Sequence, residues 1–123
     1  MCGDIIDLHN YPNPEYYLKV KDKVNILGEF GGMGLEIKGH IWIQKNWGYI
    51  LKKSKEELSE TYIQYCKELK NKCQEGLAGA IFTQTSDVEI DINGLVTYDR
   101  KIVKVNENLI KSANDDLIKS LSE

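Results

Sequence analysis

Residues 24–34, Val24-Asn-Ile-Leu-Gly-Glu29-Phe-Gly-Gly-Met-Gly34, constrain this chain more than any other stretch. A short, mostly apolar run without strict alternation suits a strand covered on both faces, as in parallel sheets. The run ends in one carboxylate, and a glycine-rich loop follows at once. Two further runs, Asp4 to His9 and Ala78 to Thr85, share this form, each passing into polar or glycine-containing sequence at its carboxyl end. Three parallel strands are the expectation, and the fold class is α/β.

Between the second and third strands the sequence predicts a helix. Ser54 can cap it and Glu57, three residues on, completes a capping box. Leu58, Tyr62, Tyr65, Cys66, Leu69 and Cys73 then recur on one stripe, with Lys and Glu opposite, and Gly76 is a suitable stop. A second helix is predicted from a cap at Asn106 through Leu109, Ile110, Ala113, Leu117, Ile118 and Leu121. The first connection, Asn10 to Lys23, holds Pro12 and Pro14 and has room for a turn or two of helix around residues 15–20, near the minimum for joining parallel strands. The segment from Phe30 to Lys53 reads as a long loop carrying Trp42, Trp47 and Tyr49, and loops of that length are commonly functional.

Composition removes several classes. The 123 residues fit one domain, 1–123, and 41% hydrophobic with 28% charged residues is ordinary for a soluble globular protein. The net charge of −3 arises from acidic and basic residues mixed along the chain, so no basic footprint for nucleic acid is present. No apolar run reaches the ~20 residues that span a bilayer, and the amino terminus lacks a signal-peptide pattern. The expected location is cytoplasmic. Cys2, Cys66 and Cys73 form no Cys-x-x-Cys, and with His9 and His40 they supply no metal-ligand spacing, so they read as reduced packing residues and no metal is expected.

Parallel strands would gather their carboxyl ends: His9, Asn10 and Tyr11 beside Glu29, and beside Thr83, Gln84, Thr85 and Asp87. In a (β/α)8 enzyme that rim holds the chemistry, which makes Glu29 the leading catalytic candidate. A carboxylate among polar groups, with Trp42 and Trp47 on the adjoining loop, matches what a sugar requires, because hydroxyls need donors and acceptors while the C–H face stacks on aromatic rings. Taken singly, each signal also fits a plainer role: Glu29 as a solvated strand end, His9 as a packed or surface imidazole, the tryptophans as a roof over the sheet. Gly31-Gly-Met-Gly34 matches neither GxGxxG nor a Walker loop, and no Gly-x-Ser-x-Gly elbow accompanies Ser86 and His9.

These residues resemble a known family. Ile26-Leu-Gly-Glu29-Phe-Gly-Gly is similar to the seventh barrel strand of glycoside hydrolase family 2, the group of β-galactosidases and β-glucuronidases. Gly79-Ala-Ile-Phe-Thr-Gln-Thr-Ser-Asp87, followed by Asn93-Gly-Leu-Val-Thr-Tyr-Asp-Arg100, is similar to the eighth strand and the run that ends that catalytic domain. Asp4-Ile-Ile-Asp-Leu-His-Asn-Tyr-Pro12 falls where the sixth strand should be. The resemblance covers most of the chain and implies the last three strands of a TIM (β/α)8 barrel with their helices. It implies Glu29 as nucleophile, His9 and Tyr11 lining a sugar pocket, the Trp42 to Tyr49 loop bordering the cleft, and no cofactor. Phe82 stands about where many relatives have tryptophan, and Thr83 and Gln84 also depart from the commoner pattern.

The family's acid/base glutamate, which follows an asparagine on the fourth strand, has no counterpart here, and retaining hydrolysis needs two carboxyl groups ~5 Å apart. Asp87, Glu89 and Glu36 are spare acids outside that motif. The leading reading is the carboxyl-terminal part of a retaining glycosidase whose partner is a carbohydrate. The alternatives are a carbohydrate-binding or partner-completing module, and an inactive truncated product. A three-strand piece leaves edges and a sheet face uncovered, so association with the rest of a barrel or with itself is expected.

Overall fold

A computed structural model describes residues 3–17 and 19–121, so the reading of Cys2 lies outside the described residues. The three expected strands are present as β1 (Ile5–His9), β2 (Val24–Phe30) and, numbered by its place in the chain, β5 (Leu77–Phe82). They form one parallel sheet in the order β1-β2-β5, with β2 in the centre. The long 30–53 segment is more ordered than a loop: β3 (Met33–Gly34) pairs in parallel with β4 (Ile50–Leu51), so the glycine-rich stretch lies back against the segment's own end. The third strand stops at Phe82, short of the expected Thr85, because the chain there leaves the sheet to bridge Ser86 to Val96.

Helix α1 (Lys55–Gln74) begins as its sequence demands. Ser54 Oγ accepts from the Glu57 amide at 3.1 Å, while Glu57 Oε2 accepts from the Lys53 amide at 2.7 Å, one residue before the cap. It stops at Gly76, whose φ of 109° is cheap only for glycine. Its stripe Leu58, Tyr62, Tyr65, Cys66 and Leu69 is buried against Leu27, Phe30 and Leu77 of the sheet. Phe82 enters this core as well, 5.6 Å from Phe30 and 5.1 Å from Tyr62 between ring centroids. Burial pushes the Cys66 thiol up to about 11 and the Cys73 thiol up too.

Helix α2 (Glu107–Ser120) starts where expected, with Asn106 Oδ1 accepting from the Leu109 amide and the Asn106 amide bonded to Ser59 Oγ of α1. The predicted stripe is too wide. Ile110 is buried and Ala113 and Leu117 pack against the core, but Leu109, Ile118 and Leu121 are exposed, because α2 has one helical neighbour and a single contact line covers few positions. No helix among the described residues is long and apolar enough to cross a membrane.

The β1–β2 crossover contains no helix among its described residues. Asn25, buried on the central strand, takes over the work of helical hydrogen bonds: its Oδ1 accepts from Tyr16 Oη at 2.8 Å and the Val20 amide at 3.0 Å, and its Nδ2 donates to the carbonyls of Val20 and Lys23. A buried amide that satisfies four partners permits so short a crossover.

The segment after β5 is organised by one buried cation. Lys104, with no solvent exposure, donates through Nζ to Asp87 Oδ1 at 2.7 Å, to the Ile92 carbonyl at 2.8 Å and to the Leu35 carbonyl at 3.1 Å. Burial pushes the Asp87 carboxyl up against the pull of Lys104, and pushes the Lys104 ammonium down. Each charge is therefore tolerated only in the company of the other.

On the side of the sheet away from α1, Ile5, Val24 and Ile81 are exposed, and β1 and β5 each have one strand neighbour among the described residues.

Three stability outcomes follow. Asn25→Ala should cost on the order of 2 kcal/mol or more, since it strands buried partners, read from the urea midpoint at unchanged slope. Lys104→Met should cost about 3–5 kcal/mol by leaving Asp87 buried and unpaired. In a double-mutant cycle, Asp87→Asn with Lys104→Met should cost less than the sum of the two single changes.

Candidate active site

The parallel register brings one end of the sheet together around Glu29. His9 is the register partner of Glu29, the Asn10 amide bonds the Glu29 carbonyl at 3.0 Å, and on the other side the Thr83 amide bonds the Phe30 carbonyl at 2.9 Å. The chain leaving β1 and the chain leaving β5 thus flank the central strand's carboxylate, as the sequence led us to expect of His9, Tyr11 and Thr83.

Tyr11 Oη lies 2.6 Å from Glu29 Oε2 and 2.6 Å from Thr83 Oγ1. One phenolic proton serves one acceptor. The carboxylate, carrying charge and no proton, takes it, and the Thr83 hydroxyl donates to the phenolic oxygen in return. Burial first, and then the hydrogen bond to Glu29, push the Tyr11 phenol up to about 12, while Thr83 works in the opposite direction. His9 Nδ1 stands 3.4 Å from the same Oε2, and His9 Nε2 is hydrogen-bonded to Asp7 Oδ2 at 3.1 Å. Oε2 is thus engaged by Tyr11 and approached by His9, whereas Oε1 makes no hydrogen bond among the described residues. The Glu29 side chain is 43% exposed, open enough to meet a ligand.

An aromatic wall stands beside this carboxylate. Tyr11 stacks on Tyr49 with ring centroids 4.5 Å apart and planes 11° apart, and Trp47 meets Tyr49 edge-on at 4.7 Å. Tyr49 fits because Gly32, at a φ of 75°, has no side chain: a Cβ there would run into the Tyr49 ring. The wall is held from behind, since the Trp47 amide bonds the Ile90 carbonyl at 2.7 Å and the Ile92 amide bonds the Trp47 carbonyl at 3.1 Å. The carbonyl of Ile92 is one of those held by Lys104.

The side chains of the other sequence candidates are engaged elsewhere. Asp87, expected at the strand-end cluster, has a side chain only 3% exposed and engaged by Lys104 and the Gly94 amide, so its carboxylate serves the fold and is closed to a sugar. Gln84 donates to the Asp91 carbonyl at 3.2 Å, and Asn10 to the Asn13 carbonyl at 2.8 Å, each shaping its own turn. Trp42 packs edge-on against Tyr98, and its loop is pinned there by His40 Nδ1 on Asp99 Oδ2 at 2.8 Å. The Thr97 hydroxyl, followed by His40, holds the Asp99 carboxyl down at about 2. Of the spare acids, exposed Glu36 accepts from Asn46 and Glu89 sits at a turn with a φ of 53°.

Asp7 is the one contributor without a place in the sequence reading of the site, whereas Tyr49 and Thr83 enter it only within larger groups. Strand alternation alone places Asp7 on the face of His9, two residues on. Tyr49 was legible only as one of several loop aromatics, and Thr83 as one of several polar residues after a strand.

The Tyr11 phenol should titrate at about 12 against the usual 10.0. Its folded value is raised, so the stability it brings is complete below pH 10 and is lost as pH rises through about 12. Tyrosine ring-carbon NMR, with Tyr11→Phe as assignment, reads this directly. In Glu29→Gln the Tyr11 titration should move down yet stay above 10.0, because burial is the larger cause.

No protein-family model matches this chain, and no curated protein matches it significantly.

Proposed function

We propose that this chain is the carboxyl-terminal part of the catalytic domain of a retaining glycoside hydrolase, similar to glycoside hydrolase family 2, with Glu29 as its nucleophile. One observation carries the reading: at the carboxyl end of the central parallel strand, Glu29 Oε2 accepts the Tyr11 hydroxyl at 2.6 Å while Oε1 makes no hydrogen bond among the described residues. A carboxylate held by one oxygen presents the other in a fixed direction, as attack on an anomeric carbon requires. In this reading the Tyr11 phenol keeps its proton throughout, steadying Glu29 as charge leaves it for the new C–O bond. The neighbouring Tyr11, Tyr49 and Trp47 rings offer apolar surface to the C–H face of a sugar, and Thr83 Oγ1, whose hydrogen goes to Tyr11, can still accept from a sugar hydroxyl.

The proton for the leaving oxygen has to come from elsewhere. Glu36 and Asp87 are engaged in other bonds. The barrel half that supplies the acid in the family would also cover the face bearing Ile5, Val24 and Ile81 and extend both sheet edges. That open face equally favours a second reading, a partner-completing module that binds sugar without turnover.

Activated 2-fluoro glycosides separate the two, since their leaving group needs no proton and they interrogate the nucleophile alone. With folding verified by near-UV circular dichroism, mass spectrometry should find a glycosyl adduct on the peptide containing Glu29, absent in Glu29→Gln. Sugar binding undiminished in Glu29→Gln, with no adduct in the parent, would instead establish the binding module.

A further inference from the structure

The geometry points to Asp7 as a positioning residue for the Glu29 site, acting through His9; for its bearing on catalysis this rests on the glycosidase reading above. Asp7 and His9 lie on one side of β1, two residues apart, with Asp7 Oδ2 and His9 Nε2 3.1 Å from each other. A carboxylate only accepts, so Nε2 carries the hydrogen of that bond. With Nε2 committed to Asp7, the other ring nitrogen lies 3.4 Å from Glu29 Oε2, a contact that attracts only when Nδ1 carries a hydrogen as well. Asp7 therefore decides which edge of the imidazole faces the candidate nucleophile.

The seat for this arrangement is built into the neighbouring strand. The Asp7 carboxylate lies over the backbone of Gly28, where any Cβ would collide with it. Gly28 has no positive φ among the backbone angles of the chain, so its turn-forming freedom is not what the position uses. What it supplies is room, immediately before Glu29, for the carboxylate of the adjacent strand. Asp7 is 47% exposed on its side chain and His9 50%, so neither is there to fill a core. The pair resembles in logic the carboxylate that sets an imidazole's tautomer in other active sites, where the amide replacement presents the wrong hydrogen.

Two variants and two readouts test this. Asp7→Asn keeps shape but can offer an N–H to the ring, and Gly28→Ala displaces the carboxylate without removing it. In ¹⁵N-histidine-labelled full chain, with signals assigned by His9→Gln, the parent should show a protonated Nε2 and one ring orientation. Both variants should lose that signature while near-UV circular dichroism stays that of the parent. Adduct formation from the 2-fluoro glycoside should slow on the order of tenfold in both, as losses of outer-shell orientation typically do. His9 ring signals unchanged in both variants would overturn the positioning role. Altered ring signals with an unaltered adduct rate would overturn its bearing on catalysis. A parent that forms no adduct would fail the glycosidase reading instead, and the ring signals would still decide what Asp7 does.

Discussion

The structure depends on the Lys104 ammonium. Removed from water, it joins the Asp87 carboxylate to the carbonyls of Leu35 and Ile92, and so ties together the exit of the β3 strand, the turn after β5 and the segment that leads to α2. Two desolvated charges and two carbonyls meeting at one point are costly to assemble and costly to break, which makes the junction specific. Its consequence reaches the surface. Ile92 pairs with Trp47, Trp47 packs on Tyr49, and Tyr49 stacks on Tyr11, whose hydroxyl holds Glu29.

The sheet contributes the other half of that geometry. Parallel pairing places the exits of all three strands at one end, and the backbone bonds of Asn10 and Thr83 carry the pairing a step beyond β1 and β5. Glu29 is consequently flanked from both sides by polar groups arising far apart in sequence. Its two oxygens experience different surroundings, one engaged by a phenol and one without a hydrogen bond among the described residues. Asn25 has the comparable role at the opposite end of the same strand, where its amide substitutes for a crossover helix. The central strand thus carries one buried polar side chain that shapes the crossover and, near its carboxyl end, one half-exposed carboxylate.

Several elements could be read directly from local pattern. The capping of α1 by Ser54 and Glu57, its stop at Gly76 and its buried stripe depend on neighbours within a few residues, and so do the starts of α2 and the three strands. The stripe of α2 was overdrawn because periodicity records which residues are apolar, not how many neighbours a helix will have. Asp87 was misplaced for a related reason. A carboxylate following a strand looks the same in sequence whether it meets solvent or a lysine 17 positions on, and only the fold brings Lys104 beneath it. Trp42 and Trp47 were equivalent as loop aromatics, yet one packs on Tyr98 and the other joins the wall beside Glu29.

By itself the sequence determined the α/β class, the three strands, the two helices and the candidacy of Glu29, because each follows from propensity, periodicity or capping within a short window. Tertiary structure alone decided which polar residues share a site with Glu29. Hydrogen bonds such as Tyr11 to Thr83, 72 positions apart, and the burial of Lys104 exist only once the strands are in register. Side-chain chemistry is local, but the desolvation and the partner that give each group its role are set by segments distant in the chain.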